Sequence, residues 1–167
     1  MKVDFVEPME CALVSKLPEG HDWTYEVKFD GYRAIGVRSR ETILYSRNRK
    51  NFNKRFPQIA YALADLPADT VIDGEVVALD ESGRPDFHGL QHFTAEASRI
   101  HYFVFDLLIL KQGDLTSLPL TERRKLLKAI KLSHRIWSVS NCSDMRTLSQ
   151  IEFSPYSNLG SHRAKSS

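Results

Sequence analysis

The alternation of apolar and polar positions divides this chain into short strands and a few helices. Runs of apolar and β-branched residues between polar turns predict strands over 25–29, 34–38, 42–46, 71–79 and 100–110. Apolar residues at helical spacing predict helices over 56–66 and 120–131, with a single helical turn over 86–92. Hairpin strands mixed with separate helices favour an α+β domain, with a mostly antiparallel sheet and flanking helices.

Individual residues mark the ends and faces of the two longer predicted helices. Pro57 stands in the first turn of the earlier helix, where proline is well tolerated. Thr121 is the predicted N-cap of the later helix. The residues of that helix expected to face the core are Leu126, Leu127 and Ile130.

Composition changes after residue 132. Of the sixteen serines in the chain, ten lie in residues 133–167, where apolar periodicity is weak. Segments with few apolar anchors bury too little surface to order themselves. We therefore expect 133–167 to be a poorly ordered tail that packs little against the domain.

Composition argues against membrane and disulfide-rich classes. The hydrophobic fraction is 42%, and no apolar run is long enough to span a bilayer. Asp4, Glu7 and Glu10 interrupt the N-terminal stretch where a signal peptide would be apolar. The only two cysteines, Cys11 and Cys142, form neither a disulfide framework nor a zinc-ligand spacing. A cytoplasmic protein without a membrane partner is the expectation.

Charge is distributed unevenly along the chain. Residues 26–58 carry nine Lys or Arg against three acids, whereas residues 65–86 carry seven acids against Arg84 alone. A basic stretch beside an acidic one suits a site that holds phosphate and a divalent cation together. Two solvated faces that balance each other would give the same pattern.

The segment 26–33, Glu-Val-Lys-Phe-Asp-Gly-Tyr-Arg, carries the strongest candidate chemistry. A lysine amine attacks phosphorus only after losing its proton, and burial or nearby positive charge lowers a lysine pKa. Lys28 lies in a predicted apolar strand, which a turn at Asp30-Gly31 would end. Arg33 offers donors suited to phosphate or ribose oxygens. An ordinary hairpin with a surface lysine and arginine would also carry this short pattern.

Four further clusters follow this segment, at 46–50, 73–80, 87–91 and 102–108. In their order and spacing, the chain resembles the adenylation domain of ATP-dependent DNA ligases, and looks most similar to the ligase module of bacterial end-joining ligases. The resemblance runs from about Val6 to about Ile130. It implies an ATP-grasp-like fold, shared by DNA ligases and mRNA capping enzymes, that is incomplete here.

The resemblance also implies roles for single residues. Lys28 would attack the α-phosphate of ATP, form a lysyl-AMP phosphoramidate and release pyrophosphate. Arg33 would contact the nucleotide sugar or a DNA phosphate, and Arg47 would hold the 5′-phosphate at a nick. Basic side chains of this kind bind DNA phosphates with little reading of bases. By residue type alone, Arg47 also fits a solvated turn.

Further implied roles concern the nucleotide and the metal. Glu75 would work with the nucleotide and with Mg²⁺ or Mn²⁺, since Mg²⁺ prefers carboxylate, phosphate and water oxygens. Phe105 would stack on adenine, and Glu26 and Val27 would lie in the strand beside the base. By position alone, core packing is the favoured role for Phe105, and Glu75 fits a surface acid between buried valines.

The chain departs from the family pattern in its last part. The family continues with a glutamate-bearing strand and a strand with two lysines, and 151–153 is a poor match for the former. We expect residues 1–132 to be the N-terminal part of the adenylation domain, 133–167 to be a divergent tail, and the OB-fold domain to be absent. Full nick sealing by this chain alone is then not expected.

Three functions follow as hypotheses. The leading one is an ATP-dependent DNA ligase acting on nicks or ends with a 5′-phosphate, with end-joining repair proteins as partners. The second is another lysyl nucleotidyltransferase, such as an RNA ligase or a capping guanylyltransferase. The third is a non-catalytic remnant that binds nucleotide or DNA.

Overall fold

The computed structural model describes residues 3–10, 12, 14–16, 23–25, 28–92, 99–130, 137–139 and 163–165. Its strands are β1 (Trp23–Tyr25), β2 (Tyr32–Arg38), β3 (Thr42–Ser46), β4 (Thr70–Leu79), β5 (Arg99–Leu110), β6 (Gly113–Asp114), β7 (Trp137–Val139) and β8 (Arg163–Lys165). Its α-helices are α1 (Pro57–Ala62), which continues into a 3₁₀ turn at Leu63–Asp65, α2 (Phe87–Gln91) and α3 (Leu120–Ala129). In this part of the chain, no helix is long and apolar enough to cross a bilayer.

The main sheet has the strand order β3-β2-β4-β5-β6, and every neighbouring pair along it is antiparallel. β7 pairs with β5 in parallel, and β1 pairs with β8 in a separate two-stranded sheet. The α+β class and the mostly antiparallel sheet predicted from the sequence are therefore confirmed.

One face of the sheet carries the helices and the larger core. Ile72, Val76 and Tyr102 point to this face, where they pack with Leu63 and Leu127. The Tyr102 hydroxyl donates a buried hydrogen bond of 2.8 Å to the Ala34 carbonyl. Because strand side chains alternate between faces, the neighbouring residues of the same strands point to the opposite face. We call that opposite face the site face.

The N-terminal segment 3–10, without helix or strand, packs against the site face. Val3 is buried there with Ile35, Val37, Val71 and Leu108, and Phe5 packs edge-on to the Tyr45 ring at 5.5 Å. This second, smaller cluster covers one end of the site face. Beyond this cluster the site face carries polar and aromatic side chains, among them Asp73, Glu75 and Phe103.

A β-bulge lies in the middle of β5. The β4–β5 register passes from Asp73 opposite Asp106 to Gly74 opposite Val104, so Phe105 is the extra, unpaired residue. A bulge of this kind locally redirects side chains. The alternation in the sequence did not predict it.

Most predicted elements are confirmed, with their ends shifted by a residue or a few. Pro57 begins α1, and Asp86 caps α2 through a 2.9 Å hydrogen bond from the Gly89 amide to its carboxylate. Between β5 and β6 the chain makes a tight turn, in which Lys111 and Gln112 both have positive φ.

Two predictions for α3 are wrong. The helix begins at Leu120 with Pro119 in the capping position, so Thr121 lies inside its first turn and is not the N-cap. Leu127 is buried and Ile130 packs against the core, but Leu126 is exposed. The apolar stripe that contacts the sheet is therefore narrower than the sequence spacing suggests.

The predicted tail lies mostly outside the described residues. Its described parts, β7 and β8, are paired strands. The poor order expected of the whole tail and the proposed domain boundary stay predictions. The positions of Glu26, Val27, Cys11 and Cys142 also lie outside the described residues.

Candidate active site

The site face brings together residues from three adjacent strands. In the register, Arg33 of β2 lies opposite Glu75 of β4, and Glu75 lies opposite Phe103 of β5. Asp73 is two residues before Glu75 on the same strand face. Phe105 joins them at the bulge. Arg33, Glu75 and Phe105, which are far apart in sequence, thus form one cluster.

A buried ion pair between Arg33 and Asp73 anchors this cluster. Arg33 Nε donates to Asp73 Oδ1 at 3.2 Å and Nη2 donates to Oδ2 at 2.7 Å. Its third nitrogen, Nη1, donates to the Met9 carbonyl at 2.8 Å. The Asp73 side chain is only 3% exposed. This bidentate, charge-assisted geometry fixes the guanidinium plane.

Burial and ion pairing act in opposite directions on Asp73. Burial raises the pKa of its carboxyl, and the Arg33 guanidinium lowers it. Removing one partner of such a pair would leave the other as an uncompensated buried charge. Asp73 was not among the predicted site residues, although its place in the Asp-Gly-Glu run, two residues from Glu75, is a usable signal.

The pKa of the Glu75 carboxyl is strongly perturbed. Burial raises its pKa to about 7, while the positive charges of Arg33 and Lys28 lower it and the negative charge of Asp73 raises it. Within the described residues its carboxylate has no hydrogen-bond or ion-pair partner. A half-buried carboxylate without a partner suits a cation or a ligand hydroxyl.

Lys28 lies beside this carboxylate, but not as the sequence predicted. It is exposed and belongs to no strand, so the expected burial in a strand is wrong. The half-buried neighbour, Phe29, holds the segment instead. Its ring stacks on Phe103 with centroids 4.1 Å apart and planes 9° apart. Stacking on the residue opposite Glu75 keeps Lys28 near that carboxylate.

Gly31 explains how the Lys28 segment comes so close to β4. A Cβ at this position would lie 2.2 Å from the Val76 carbonyl oxygen and 3.0 Å from Glu75 Cγ. Only glycine therefore allows this approach. The Asp-Gly signal in the sequence marks a bend at Gly31, after which β2 begins.

Phe105 lies on the site face and not in the core. Its ring is half-buried, and the Arg33 guanidinium carbon is 5.6 Å from the ring centroid. A cation over an aromatic face is attractive. The alternative, that Phe105 packs in the core, is therefore wrong. The Phe29–Phe103 stack was missed from the sequence, because it joins residues far apart along the chain.

Arg47 lies in a neighbouring groove. It is exposed, and its amide donates to the Arg33 carbonyl at 3.1 Å, which ties the turn after β3 to the cluster. An open cavity of about 600 Å³ lies between this turn and the N-terminal segment, lined by Phe5, Glu7, Pro8, Glu10, Arg47, Asn48 and Arg49. Lys28, Glu75 and Phe105 do not line this cavity.

Residues 6–155 match the family model described as the ATP dependent DNA ligase domain. The chain belongs to this family. The match extends beyond Ile130, where the resemblance seen in the sequence was expected to end. The family is one of enzymes.

Relatives of this ligase domain include multifunctional end-joining proteins. The chain is 38% identical to the multifunctional non-homologous end joining protein LigD of Pseudomonas aeruginosa over 131 residues, which are 76% of this chain and 16% of that protein. It is 35% identical to DNA ligase C of Mycobacterium tuberculosis, over 73% of this chain and 37% of that protein. The chain thus spans less than half the length of these relatives.

The fold agrees with that of solved ligases. The ligase domain of M. tuberculosis LigD superposes with a TM-score of 0.57 at 35% identity, covering 64% of this chain and 36% of that one. A mycobacterial DNA ligase D complexed with ATP and MES also superposes, with a TM-score of 0.56.

A divalent metal fits the cluster around Glu75 in a limited way. Within the described residues, no group of three or more His, Cys, Asp or Glu side chains could hold a metal. Mg²⁺, however, is commonly bound through one or two carboxylates together with substrate phosphates and waters. Glu75, half-buried and without a protein partner in the described part of the chain, fits that mode.

Proposed function

We propose that this chain carries the nucleotide-binding part of an ATP-dependent DNA ligase and that Lys28 accepts AMP from ATP. The observation that carries the proposal is the cluster around Glu75, in which Lys28 and Arg33 are both close enough to lower the pKa of that carboxyl. Phosphoryl transfer depends mainly on positioning and charge stabilisation, and this cluster supplies a nucleophile, a cation and an acid.

In the proposed reaction the Lys28 amine attacks the α-phosphorus of ATP. A nitrogen–phosphorus bond forms, the bond from the α-phosphorus to the bridging oxygen breaks, and pyrophosphate leaves with that oxygen. The amine proton passes to solvent, to which the exposed Lys28 has direct access. Glu75 would hold Mg²⁺ or Mn²⁺, which neutralises phosphate charge when bound.

Arg33 and Phe105 would contribute binding. The Phe105 ring would stack on adenine, and Glu26 and Val27 would lie beside the base. Arg33 is held by Asp73 and Met9, so we propose that it acts from a fixed position on the nucleotide sugar or on a DNA phosphate. Fixing a donor before binding lowers the entropy cost of using it.

The DNA side of the proposal involves Arg47. It is exposed at a groove that also contains Asn48 and Arg49, and exposed arginines bind a 5′-phosphate and its neighbours without reading bases. The proposed substrate is DNA with a 5′-phosphate at a nick or end, in the cytoplasm. End-joining repair proteins are the proposed partners.

The test is covalent labelling of the purified chain with α-labelled ATP and Mg²⁺. We expect label that survives denaturation and is absent from Lys28→Ala. Lys54→Ala, which removes an exposed lysine outside the cluster, is the matched control and should label like the parent. Labelling with GTP in preference to ATP would favour a capping enzyme instead. Folded protein that takes no label from either nucleotide would contradict the proposal.

A further inference from the structure

Helix α3 contacts the back of the β5 bulge through two consecutive arginines. Arg123 Nε donates to Asp106 Oδ1 at 2.8 Å and Nη2 donates to Oδ2 at 2.7 Å. Both side chains are largely buried, with exposed fractions of 11% and 13%. Arg124 Nε donates to the Phe105 carbonyl at 3.2 Å. The two residues of the bulge are thus each bound by one residue of α3.

These contacts stand in for the backbone pairing between β4 and β5 that the bulge interrupts. Phe105 has no partner on β4 in the register, so strand pairing does not fix its backbone. Asp106 also accepts a hydrogen bond of 2.8 Å from the Leu107 amide, so its carboxylate organises the local backbone as well. Arg123 fixes that carboxylate, because a bidentate arginine–carboxylate pair sets orientation as well as distance.

The same bulge reaches the site through its other side. The Phe105 ring lies under the Arg33 guanidinium, and Asp106 pairs in register with Asp73, the partner of Arg33. A change in the position of the bulge would therefore move the Phe105 ring together with Asp106, which lies opposite Asp73. α3 itself contributes no side chain to the cluster around Glu75.

We propose that Arg123 is a positioning residue for nucleotide binding, supported by Arg124. By holding Asp106, it keeps the Phe105 ring at the angle and height at which the ring meets the base. This inference rests on the proposed function, because it takes the Phe105 ring to be part of the nucleotide pocket. It predicts an effect on ATP affinity from a helix that lies outside the pocket.

The experiment compares Arg123→Ala and Arg123→Lys with Lys125→Ala in the full chain. Lys125 is the matched control, since it lies on the same helix and, within the described residues, makes only an exposed ion pair to Glu122. ATP affinity is measured by equilibrium dialysis, and hydrogen exchange is measured on the peptide that covers 103–107. We expect Arg123→Ala to weaken ATP binding about tenfold and to speed exchange in that peptide.

Two further variants separate positioning from general stability. Arg123→Lys keeps the charge but loses the bidentate geometry, so it should rescue ATP affinity only in part. Asp106→Asn should weaken ATP binding to a similar degree, and adding Arg123→Ala to it should cause little further loss, because both act through one contact. Lys125→Ala should leave both readouts unchanged.

Two results for Arg123→Ala would overturn the proposal. Folded Arg123→Ala that binds ATP within about twofold of the parent would overturn the proposal, since a displaced contact normally costs more. Unchanged exchange at 103–107 would overturn it as well, whatever the affinity. A parent chain that binds no ATP would contradict the proposed function, and the exchange rates would still decide whether Arg123 holds the bulge.

Discussion

At the scale of single residues, Glu75 shows how the site departs from what folding alone would favour. Its carboxyl is half-buried and has no partner in the described part of the chain, and burial raises its pKa to about 7. Near neutral pH the folded protein must therefore accommodate a costly negative charge. Destabilising groups of this kind occur where a ligand or metal completes the site.

The pH dependence of stability follows from this raised pKa. The ordinary glutamate value is 4.5 and the folded value is about 7, so the folded state binds the proton more tightly between these limits. The stabilisation from this group is therefore complete below about pH 4.5 and is lost as the pH rises through about 7.

We predict that Glu75→Gln raises the free energy of unfolding at pH 8 by about 1–3 kcal/mol, with the gain shrinking towards pH 4.5. The amide keeps the shape of the side chain but never carries the charge. Urea unfolding at several pH values measures this. Glu81→Gln, at an exposed turn, is the control and should show little change. A loss of stability at pH 8 would contradict the assignment of Glu75.

The sequence was a good guide to residue types and a poor guide to their environments. The motif predicted that Lys28, Arg33, Glu75 and Phe105 belong together, and three of the four meet on one face of the sheet with Lys28 beside them. It could not predict that Lys28 is exposed. Burial depends on which distant residue covers a side chain. Here Phe103 packs against the Phe29 ring and not against the Lys28 side chain.

At the scale of elements, the site depends most on segment 28–31, which leads into β2. This segment belongs to no strand, and its position rests on the Phe29–Phe103 stack and on the close approach of Gly31 to β4. Neither contact comes from backbone pairing. A small steric change should therefore displace Lys28 while leaving the sheet intact.

We predict that Gly31→Ala strongly reduces AMP labelling and costs about 1–3 kcal/mol of stability, because a new Cβ would collide with the Val76 carbonyl 2.2 Å away. Gly83→Ala is the control. It sits in an exposed turn with φ of +81° and open space around it, so it should cost stability through backbone strain but leave labelling unchanged. Normal labelling by Gly31→Ala would contradict the role of this segment.

Element prediction succeeded where local signals act alone. Apolar and β-branched runs between polar turns predicted β2 to β5, and Pro57 marked the start of α1. The α2 helix formed where a single helical turn was expected, with Asp86 as its cap. The failures involve tertiary contacts. Arg124 of α3 donates a hydrogen bond to the Phe105 carbonyl at the bulge, and Leu127 rather than its neighbour Leu126 packs into the core.

At the scale of the whole molecule, the two faces of the main sheet have different roles. The helix face holds the larger core, and the site face holds the charged and aromatic cluster. The uneven charge seen in the sequence becomes spatial through strand pairing, because β2 from the basic stretch pairs with β4 from the acidic stretch. Arg33 and Asp73 meet across that pair. Charge counts alone could not show that the two stretches are adjacent strands.

The core contribution of α3 gives a stability prediction. Leu127 is fully buried against the sheet, whereas its neighbour Leu126 is 36% exposed. We predict that Leu127→Ala lowers the free energy of unfolding by about 2–5 kcal/mol and that Leu126→Ala changes it by well under about 1 kcal/mol. Denaturant unfolding measures both. Equal losses would contradict the packing of α3 described above.

The most direct test of AMP transfer to Lys28 is to locate the AMP on the chain itself. The purified protein would be incubated with ATP and Mg²⁺, digested, and searched by peptide mass spectrometry for a covalent AMP adduct. We expect an adduct on Lys28 that is released again when pyrophosphate is added, because the transfer is reversible. An adduct on another lysine, or folded protein with no adduct, would contradict AMP transfer to Lys28.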